Sequence, residues 1–571
     1  MSKTRKIDAQ AMGHNGPIDF EVHVDENQVT DLEIKQHSET PGIFEQVADK
    51  LRTNVLENQS FEVDAISGAT VMSEAILKSA DQAVKKEGIQ LTDQTKEQKQ
   101  VKEEVQADVV VIGGGEAGLV AAAKVLAAGK KVVLLEKNGY LGGATILNGS
   151  NVTATGSKTA KNIFGEKAKE DSLERLAEDV RNESLQTNDD SLTKVMTENI
   201  GEAIDFISDF ADLKYVKAQT QTPEHSIDRQ IELPSSSSYE LIKKVSEAFM
   251  QKGGQIFLDA RVEHILQEED GKVTGVVAEG HHRTLTVHAD AVILSTGGYG
   301  ANLEMRGKES QGLNYYGPQT STGDAYQFLA PLDLQTKNIG WYKVYPHGVE
   351  VEPGIAKLTT YASKKATDMG AIYVNREGQR IVNESDVYAK LRNAVLEQTD
   401  KVAFLVMDKR TWKEFYHLLV LHDFTEKEIQ QYFANDGKKS PVFVYGSLKE
   451  VAQKAGIDAE NLQNTLNNYE KYTAQGKDEE FGRAPEFLHS YESNELYVVE
   501  QKDRFATTLG GFVTDTDLKL QTKNGKKISN VWGAGEVIGG ANGHDSMPSM
   551  MNTWSISSGF VAASNALLQL K

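Results

Sequence analysis

The sequence predicts a multidomain protein of mixed α/β and α+β class. In it, a small N-terminal domain precedes a Rossmann-like domain in two parts, which are separated by an inserted stretch. Three observations predict this organisation. The chain has 571 residues, too many for one hydrophobic core. Residues 108–137 read as a complete strand–helix–strand unit, and glycine-rich blocks recur later, each after an apolar run. The predicted boundaries are 1–86 for the N-terminal domain, 87–106 for a linker, 107–314 and 507–571 for the Rossmann-like domain, and 315–506 for the inserted domain.

Residues 108–137 carry the glycine pattern of a dinucleotide site. An apolar strand is followed by Gly113, Gly115 and Gly118, then by an alanine-rich helix and a second strand that ends in Glu136. The glycines permit a tight turn, let the backbone approach a pyrophosphate and let the helix pack closely on the strand. The helix N-terminus offers free N–H groups to the phosphates, and Glu136 would hold a ribose hydroxyl. The pattern predicts dinucleotide binding and leaves FAD and NAD open.

Composition narrows the class of protein. With 62 Lys and Arg against 83 Asp and Glu, the net charge is −21, which disfavours nucleic acid and anionic membranes and favours a small-molecule substrate. The absence of cysteine excludes disulfides, thiolate catalysis and Cys-ligated zinc or iron–sulfur centres, and we expect no other metal site. Because the sequence shows no signal-like region and no apolar run that could cross a bilayer, we expect a cytoplasmic protein.

The N-terminal domain carries a motif for covalent cofactor attachment. Residues 17–35 alternate polar and apolar around an Asp-Glu-Asn turn, which predicts a β-hairpin. The motif DxxSGAT, which ends at Thr70, opens a helix to about Lys86. With the SETPG turn upstream, it resembles the FMN-binding domain family, in which a flavin transferase esterifies FMN through its phosphate to the last Thr. The resemblance implies covalent FMN on Thr70 and a flavin transferase as partner. The alternative is that Ser67 or Thr70 only caps the helix.

Further glycine blocks would complete the dinucleotide site. One follows the second strand of the strand–helix–strand unit, one follows the run HADAVILS, and one follows an apolar strand near the C-terminus. Small residues at these places suggest backbone that lies against a cofactor. Together with a Thr-Gly-Asp motif, the blocks give the candidate cofactor-contacting residues Gly143, Ala144, Thr145, Thr296, Gly297, Gly298, Asp324, Gly535 and Glu536.

From residue 108 to the end, these blocks resemble the soluble flavoprotein family of fumarate reductases, urocanate reductases and ketosteroid dehydrogenases. The resemblance implies non-covalent FAD rather than NAD, a clamp domain over the flavin, and hydride transfer from flavin N5 to a C=C bond. It also implies that the N-terminus of the last helix faces the flavin and stabilises its anionic reduced form.

We expect electrons to reach FAD through FMN. The chain has one nucleotide fingerprint and no evident second one for NAD(P)H, so the donor is expected to be external, either NADH-derived reduced flavin or a flavin reductase. The linker, residues 87–106, is polar, charged and poor in aromatic residues. Such a segment would let the small domain move relative to the main body.

The proton donor is predicted by a hairpin motif. In the family a donor arginine follows a hairpin that is present here as GAIYVNREGQRIVNE, and counting forward from it reaches Tyr388. The family's relay glutamate corresponds to Lys364. Its substrate-binding cations correspond to Thr507, Ser546 and a position near Pro318. A dicarboxylate requires such cations, because desolvating two negative charges without partners is prohibitive. The candidate catalytic residues are therefore Tyr388, Lys364, Ser546 and Thr507.

This loss of charge favours a neutral, conjugated, phenolic alkene, as for the vinylphenol reductases, which resemble family members without the clamp. Three alternatives stay open: an unsaturated carboxylate of fumarate, urocanate or cinnamate type held by Arg392 or Lys364, dehydrogenation of a ketosteroid-like ring, and a non-catalytic or oxidase-type electron carrier. We expect His347 and His544 to be structural. Other residues expected near the flavin are Tyr316, Tyr345, Tyr361, Met547 and Met550.

Overall fold

The computed structural model describes residues 4–92, 100–219, 222, 224–269, 271–422 and 424–570. The chain divides into two compact units. The first unit contains Met1–Arg306, Pro318–Trp341 and Thr507–Lys571, and the second unit contains Gly307–Gly317 and Tyr342–Ala506. Within the described ranges, no helix is both long enough and apolar enough to span a bilayer.

The N-terminal domain is a three-stranded antiparallel sheet covered by two helices. Its strands are Arg5–Met12, Pro17–Asp25 and Gln28–His37, and its helices are Ile43–Asn58 and Thr70–Lys86. The predicted hairpin is confirmed, since Val24 pairs with Val29 and Asp25 with Gln28. One face of the sheet forms the core because Phe20 and alternate neighbours are buried against the helices.

The Rossmann-like part of the first unit is built on a mostly parallel sheet. Its strands lie in the order Arg261–Gln267, Val273–Gly280, Arg283–Leu294, Val101–Ile112, Val132–Leu135 and Gln255–Phe257, and Lys527–Gly533 also pairs with Arg283–Leu294. The helices of this part are Glu116–Ala127, Lys158–Phe164, Leu173–Glu183, Asp190–Ala211, Ser238–Gln251 and Met550–Gln569. A Cβ on Gly559 would lie 2.3 Å from the Ala117 oxygen, so the last helix packs directly on the fingerprint helix.

Three predicted boundaries differ from the structure, and one of them concerns residues 307–314, which we placed in the Rossmann-like domain but which belong to the second unit. Residues 101–106, which we placed in the linker, form the first half of the central strand, where Val101 pairs with Arg283 and Gln106 with His288. Their charged, exposed side chains read as linker composition because this end of the strand extends beyond the buried core. Residues 93–99 of the predicted linker lie outside the described ranges. Residues 318–341, which we placed in the inserted domain, belong to the first unit, since the strand Thr336–Lys337 pairs with Gly511–Phe512.

The second unit contains an antiparallel sheet flanked by helices. The sheet order is Ile372–Val374, Val402–Asp408, Leu496–Lys502 and Phe443–Gly446. A second sheet includes Asn314–Tyr315, Tyr342–Tyr345, Gly348–Glu352, Ile355–Leu358 and the start of Arg504–Thr508. The helices are Thr360–Asp368, Tyr388–Leu396, Lys409–His422, Glu426–Ala434, Leu448–Ala455 and Ala459–Gln475.

A fully buried ion network anchors the hairpin that precedes Tyr388. Arg380 Nη2 lies 2.6 Å from Glu384 Oε2, and Arg380 Nη1 lies 2.8 Å from Asp478 Oδ2. Arg483 Nη1 reaches the same Glu384 oxygen at 3.1 Å. Arginine suits this arrangement because its planar guanidinium group can donate to two acceptors in a fixed geometry. The network holds the chain in place four residues before the predicted proton donor.

Candidate active site

A cleft in the first unit lies where the parallel strands Val101–Ile112, Val132–Leu135 and Arg283–Leu294 end. This is the edge at which α/β sheets bind ligands. Ser555 of the last helix also lines the cleft. The structure brings together at this cleft the predicted residues Gly113, Gly115, Glu136, Gly143, Ala144, Thr145, Thr296, Gly297, Asp324, Gly535 and Glu536.

The glycines of the first turn fit a dinucleotide. Gly113 has a φ of 110°, which favours glycine, and a Cβ there would lie 2.3 Å from the Ser295 oxygen. The fingerprint helix begins directly after, at Glu116, so its first N–H groups face the cleft. A buried hydroxyl, Thr296 Oγ1, lines the cleft and has no hydrogen-bond partner among the described residues. The turn, the helix N-terminus and this unsatisfied hydroxyl suit a bound pyrophosphate cofactor.

Two predicted cofactor residues lie behind the cleft wall. A Cβ on Gly118 would lie 2.0 Å from the Gly113 oxygen, so this glycine allows the helix to pack on the strand. A Cβ on Gly298 would lie 2.2 Å from Glu536 Oε1 and from Thr508 Oγ1. Both glycines therefore shape the wall by permitting close packing, and neither lines the cleft. Contact of Gly298 with the cofactor stays a prediction.

The acidic residues of the cleft differ in their partners. Glu136 accepts hydrogen bonds from the Gly114 and Asn138 N–H groups, each at 2.8 Å, which fixes its carboxylate at the strand end predicted for a ribose contact. Asp324 is paired with Lys137 at 3.0 Å and with Arg261 at 3.2 Å. Burial raises the pKa of Asp324, but Lys137 and the other donors outweigh it and hold the pKa below its ordinary value.

Glu116 is a buried acid that the sequence analysis did not single out. Its Oε2 has no hydrogen-bond partner among the described residues, and burial raises the pKa of the carboxyl to about 8. Glu116 belongs to the lining of the cleft at the start of the fingerprint helix. A signal for it existed in the sequence, since an acid inside a GxGxxG turn stands where a pyrophosphate is expected.

Thr70 is the exposed first residue of the helix Thr70–Lys86. The N-cap position is Ala69, and no side chain caps this helix. The Ser67 hydroxyl instead donates to Asp259. The alternative that Ser67 or Thr70 only caps the helix is therefore wrong. The exposed Thr70 hydroxyl lies at an uncapped helix N-terminus, and such a position suits a phosphoester.

In the second unit, Tyr388 begins the helix Tyr388–Leu396 and is half-buried. The His347 ring is perpendicular to the Tyr388 ring with centroids 5.2 Å apart, and the Tyr345 ring lies 6.4 Å away. His347 is 1% exposed, and neither of its ring nitrogens has a partner among the described residues. Burial, with nearby Arg504 and Lys364, lowers the pKa of His347 to about 3, so the imidazole is neutral.

Two buried cations of the second unit were missed by the sequence analysis. Arg504 and Lys343 are 5% and 4% exposed, and their charged groups lie 5.0 and 5.2 Å from the Tyr345 ring centroid. Arg504 Nε also donates to the His347 oxygen at 2.8 Å. The available signal was a charged residue inside each of the short strands YKVY and RFATT, since buried Lys and Arg are uncommon.

The four predicted catalytic residues are divided between the units. Tyr388 and Lys364 belong to the second unit, and Thr507 and Ser546 to the first. Lys364 Nζ lies 2.5 Å from Asp368 Oδ1 and its side chain is 43% exposed, so it faces an acid and solvent. Thr507 is half-buried, whereas Ser546 is buried and donates to the Met547 oxygen at 3.3 Å.

The remaining predicted neighbours of the flavin vary in exposure. Tyr361 is 53% exposed, whereas Met547 and Met550 are part of the core of the first unit. His544 packs edge-on against Trp341, and its backbone N–H donates to Thr187, as a structural residue would. Arg392 Nε donates to Asn393 Oδ1 at 3.1 Å on an exposed helix face.

Comparison with known proteins agrees with this geometry. The model of the family described as FAD binding domain matches residues 108–550, and that of the FMN-binding domain matches residues 13–85. The chain is 27% identical to a urocanate reductase of Eggerthella lenta over 97% of this chain and 91% of that protein. It is 24% identical to a vinyl phenol reductase of Lactiplantibacillus plantarum over 78% of this chain and 92% of that protein. A flavocytochrome c3 fumarate reductase in its open conformation is similar with a TM-score of 0.64 and 25% identity, covering 81% of this chain and 78% of that one.

Proposed function

The chain belongs to the FAD binding domain family and also carries an FMN-binding domain. From this premise we propose that it reduces the C=C bond of a neutral, conjugated phenolic substrate of the vinylphenol type. In coarser terms it is a flavin-dependent reductase of unsaturated C=C substrates. The observation that carries the finer proposal is the environment of Tyr388, a tyrosine at the donor position that packs on a buried, neutral histidine.

When bound, FAD supplies the hydride, and the residues of the chain manage the protons and the position of the substrate. A phenol with an ordinary pKa near ~10 is protonated at neutral pH, so Tyr388 can deliver a proton to the terminal vinyl carbon. Lys364, half-exposed and paired with Asp368, is the route by which Tyr388 regains a proton from solvent. The benzylic carbon of the protonated substrate then accepts the hydride.

A styrene lacks a carbonyl to polarise its double bond, so its para-hydroxyl must do so. The phenolic proton passes to solvent, which makes the ring electron-rich and lets Tyr388 protonate the vinyl group. The resulting quinone methide is the electrophile, and the phenolate left after hydride addition regains a proton from solvent. Buried Arg504 and Lys343, both beside Tyr345, favour an ionised phenolic oxygen because each can pair with it in a weakly solvated environment. The para-hydroxyl is therefore required for turnover.

The same two cations favour a second candidate function. Arg504 and Lys343 could hold the carboxylate of an unsaturated acid in place of the family cations that Thr507 and Ser546 replace. The urocanate reductase of E. lenta, similar over 97% of this chain, supports this alternative. One cation pair suits one anionic oxygen group, so it fits a phenolate or a single carboxylate, whereas a dicarboxylate such as fumarate needs partners at both ends.

An anaerobic substrate panel tests the proposal. Enzyme with reduced flavins is mixed with 4-vinylphenol, styrene, 4-hydroxycinnamate, urocanate or fumarate, and flavin reoxidation is followed by absorbance. We expect turnover of 4-vinylphenol, little with styrene and negligible rates with fumarate and urocanate. A fumarate or urocanate rate equal to that of 4-vinylphenol would overturn the phenolic assignment and favour the carboxylate one.

We further propose that Thr70 carries FMN through a phosphoester, that a flavin transferase attaches it, and that an external reduced flavin or flavin reductase loads it with electrons. The FMN-binding domain match over residues 13–85 and the exposed, uncapped Thr70 support this. Intact mass after co-expression with a flavin transferase should show one added FMN. The absence of that mass, or its persistence in Thr70→Val, contradicts the attachment.

A further inference from the structure

The turn that carries Thr70 packs against the Rossmann-like part of the first unit. We infer that this packing blocks the flavin transferase, so that FMN is attached before the FMN domain docks, or while it is undocked. This inference rests on the proposed attachment of FMN to Thr70. We call residues 64–70 the attachment turn, and residues 138–141, which directly follow Glu136 and Lys137, the docking loop.

The polar groups of the attachment turn are engaged across this contact. The Ser67 hydroxyl donates to Asp259, and Asp64 Oδ2 lies 2.9 Å from His282 Nε2. The Gly139 N–H of the docking loop donates to the Ser67 oxygen at 2.8 Å. The two polar side chains of the DxxSGAT motif that precede Thr70 therefore both bind residues of the Rossmann-like part.

The contact is also closely packed. A Cβ on Gly139 would lie 2.2 Å from Ile66 Cγ2, and a Cβ on Gly68 would lie 2.6 Å from Asn138 Oδ1. Tyr140 is 3% exposed and belongs to the hydrophobic core of the FMN domain. No room is left between the attachment turn and the docking loop for a segment of another protein.

A second anchor lies beside the turn. Gln46 of the helix Ile43–Asn58 donates to the Leu141 oxygen at 3.1 Å, and its Oε1 accepts from the Leu141 N–H at 3.0 Å. Burial raises the pKa of Asp259, but hydrogen bonds from the His281 N–H and Ser67 outweigh it and hold the pKa below its ordinary value. Asp259 is thus an ionised acceptor, and hydrogen bonds to ionised groups are the stronger kind.

Attachment requires the turn to enter another active site. The Thr70 oxygen bonds to the FMN phosphorus of a donor such as FAD, the phosphoanhydride bond breaks, AMP leaves with the bonding electrons, and the hydroxyl proton passes to solvent. No electrons are gained or lost. The reacting atoms must approach within about 3–3.5 Å in line. Thr70 itself is exposed, but the residues on its N-terminal side are held by the docking loop, Asp259 and His282.

An engineered cross-link gives the sharpest test. A Cβ on Gly139 would lie 3.5 Å from Ile66 Cβ, which is within the range of disulfides, and the natural chain has no cysteine. In the full-length variant Ile66→Cys/Gly139→Cys, oxidation should lock the docked state. We expect the oxidised protein to accept FMN from transferase and FAD at least about tenfold more slowly than the reduced protein, with intact mass as the readout. Oxidised single-variant Ile66→Cys is the control and should show no slowing.

The opposite change tests the same inference. Asp259→Ala/His282→Ala removes two contacts of the turn and should accept FMN several-fold faster than the natural chain. The matched control is Asp228→Ala/His288→Ala, two residues of the same unit that pair instead with Lys217 and Glu104. Hydrogen exchange in residues 138–141 reports undocking directly.

The outcomes separate the two proposals. Equal attachment rates in the oxidised cross-linked chain and the reduced chain overturn the block while leaving Thr70 as the acceptor. If no chain gains FMN, including the reduced and undocked ones, the attachment at Thr70 fails and this inference fails with it.

Discussion

The ring of His347 is perpendicular to the ring of Tyr388, with their centroids 5.2 Å apart. His347 is buried and neutral, and the backbone oxygen of the same residue accepts from Arg504. The neutral imidazole thus packs against Tyr388, the predicted proton donor, without placing a charge beside it. A charged imidazole at this distance would stabilise the phenolate of Tyr388 and so oppose retention of the proton that Tyr388 has to donate.

Replacement of Tyr388 by Phe should slow substrate reduction by roughly a hundredfold or more, because it removes the proton donor and keeps the ring. FAD and FMN content should stay unchanged. Steady-state reduction of 4-vinylphenol with reduced flavin measures the effect. Tyr445→Phe, which alters an exposed tyrosine of the same unit, is the control and should stay within about twofold. Undiminished turnover in Tyr388→Phe would remove this residue from the mechanism.

The depressed pKa of His347 makes stability depend on pH. Below its ordinary pKa of about 6.5 the unfolded chain binds a proton that the folded chain binds only near pH 3, so this group lowers stability as pH falls. Between pH 7 and pH 5, the free energy of unfolding of the natural chain should fall by about 2 kcal/mol because of this group, and His347→Gln should not show that decrease. Urea unfolding of the second unit, followed by tryptophan fluorescence, measures the difference.

The exposed His417→Gln serves as the control for that comparison and should keep the pH dependence of the natural chain. If His347→Gln and the natural chain lose equal stability between pH 7 and pH 5, the imidazole is not neutral and buried as described.

Glu116 should make FAD binding weaken at alkaline pH. Its raised pKa, about 8, keeps the carboxyl protonated at pH 7, and ionisation above that value places a negative charge in the cleft where we expect the phosphates of FAD to bind. The dissociation constant of FAD should rise up to about tenfold between pH 8 and pH 9. Glu116→Gln should remove this rise, whereas Glu166→Gln, on an exposed side chain, should not. Flavin fluorescence titration of the apoprotein measures the dissociation constant at each pH. A dissociation constant that does not change with pH in the natural chain would contradict the prediction.

Loss of Glu384 should destabilise the second unit strongly. Its carboxylate bridges Arg380 and Arg483, and all three side chains are buried. Glu384→Ala leaves two buried guanidinium groups short of a partner. The free energy of unfolding should therefore fall by about 3–5 kcal/mol. Asp386→Ala, which breaks the exposed pair with Lys390, should cost at most about 0.5 kcal/mol. Denaturant unfolding compares the two variants, and similar losses would show that the network contributes little.

The sequence by itself determined the elements whose signals are local. The hairpin around residues 17–35, the helix from Thr70 and the fingerprint turn at Gly113 all follow from side-chain period and from glycine positions, which depend on near neighbours only. The set of residues around the cleft was also predictable, because the ends of parallel strands meet at one edge of a sheet.

Only the tertiary structure decided the features that depend on distant pairing. Residues 101–106 became a strand because residues 283–288 lie beside them, and Gly298 became a packing residue because Glu536 lies against it. The neutral His347, the cations beside Tyr345 and the contact between Ser67 and Asp259 also join residues far apart in the chain. Burial and charge at such positions are set by which segments the fold brings together, and periodicity along the chain carries no record of that choice.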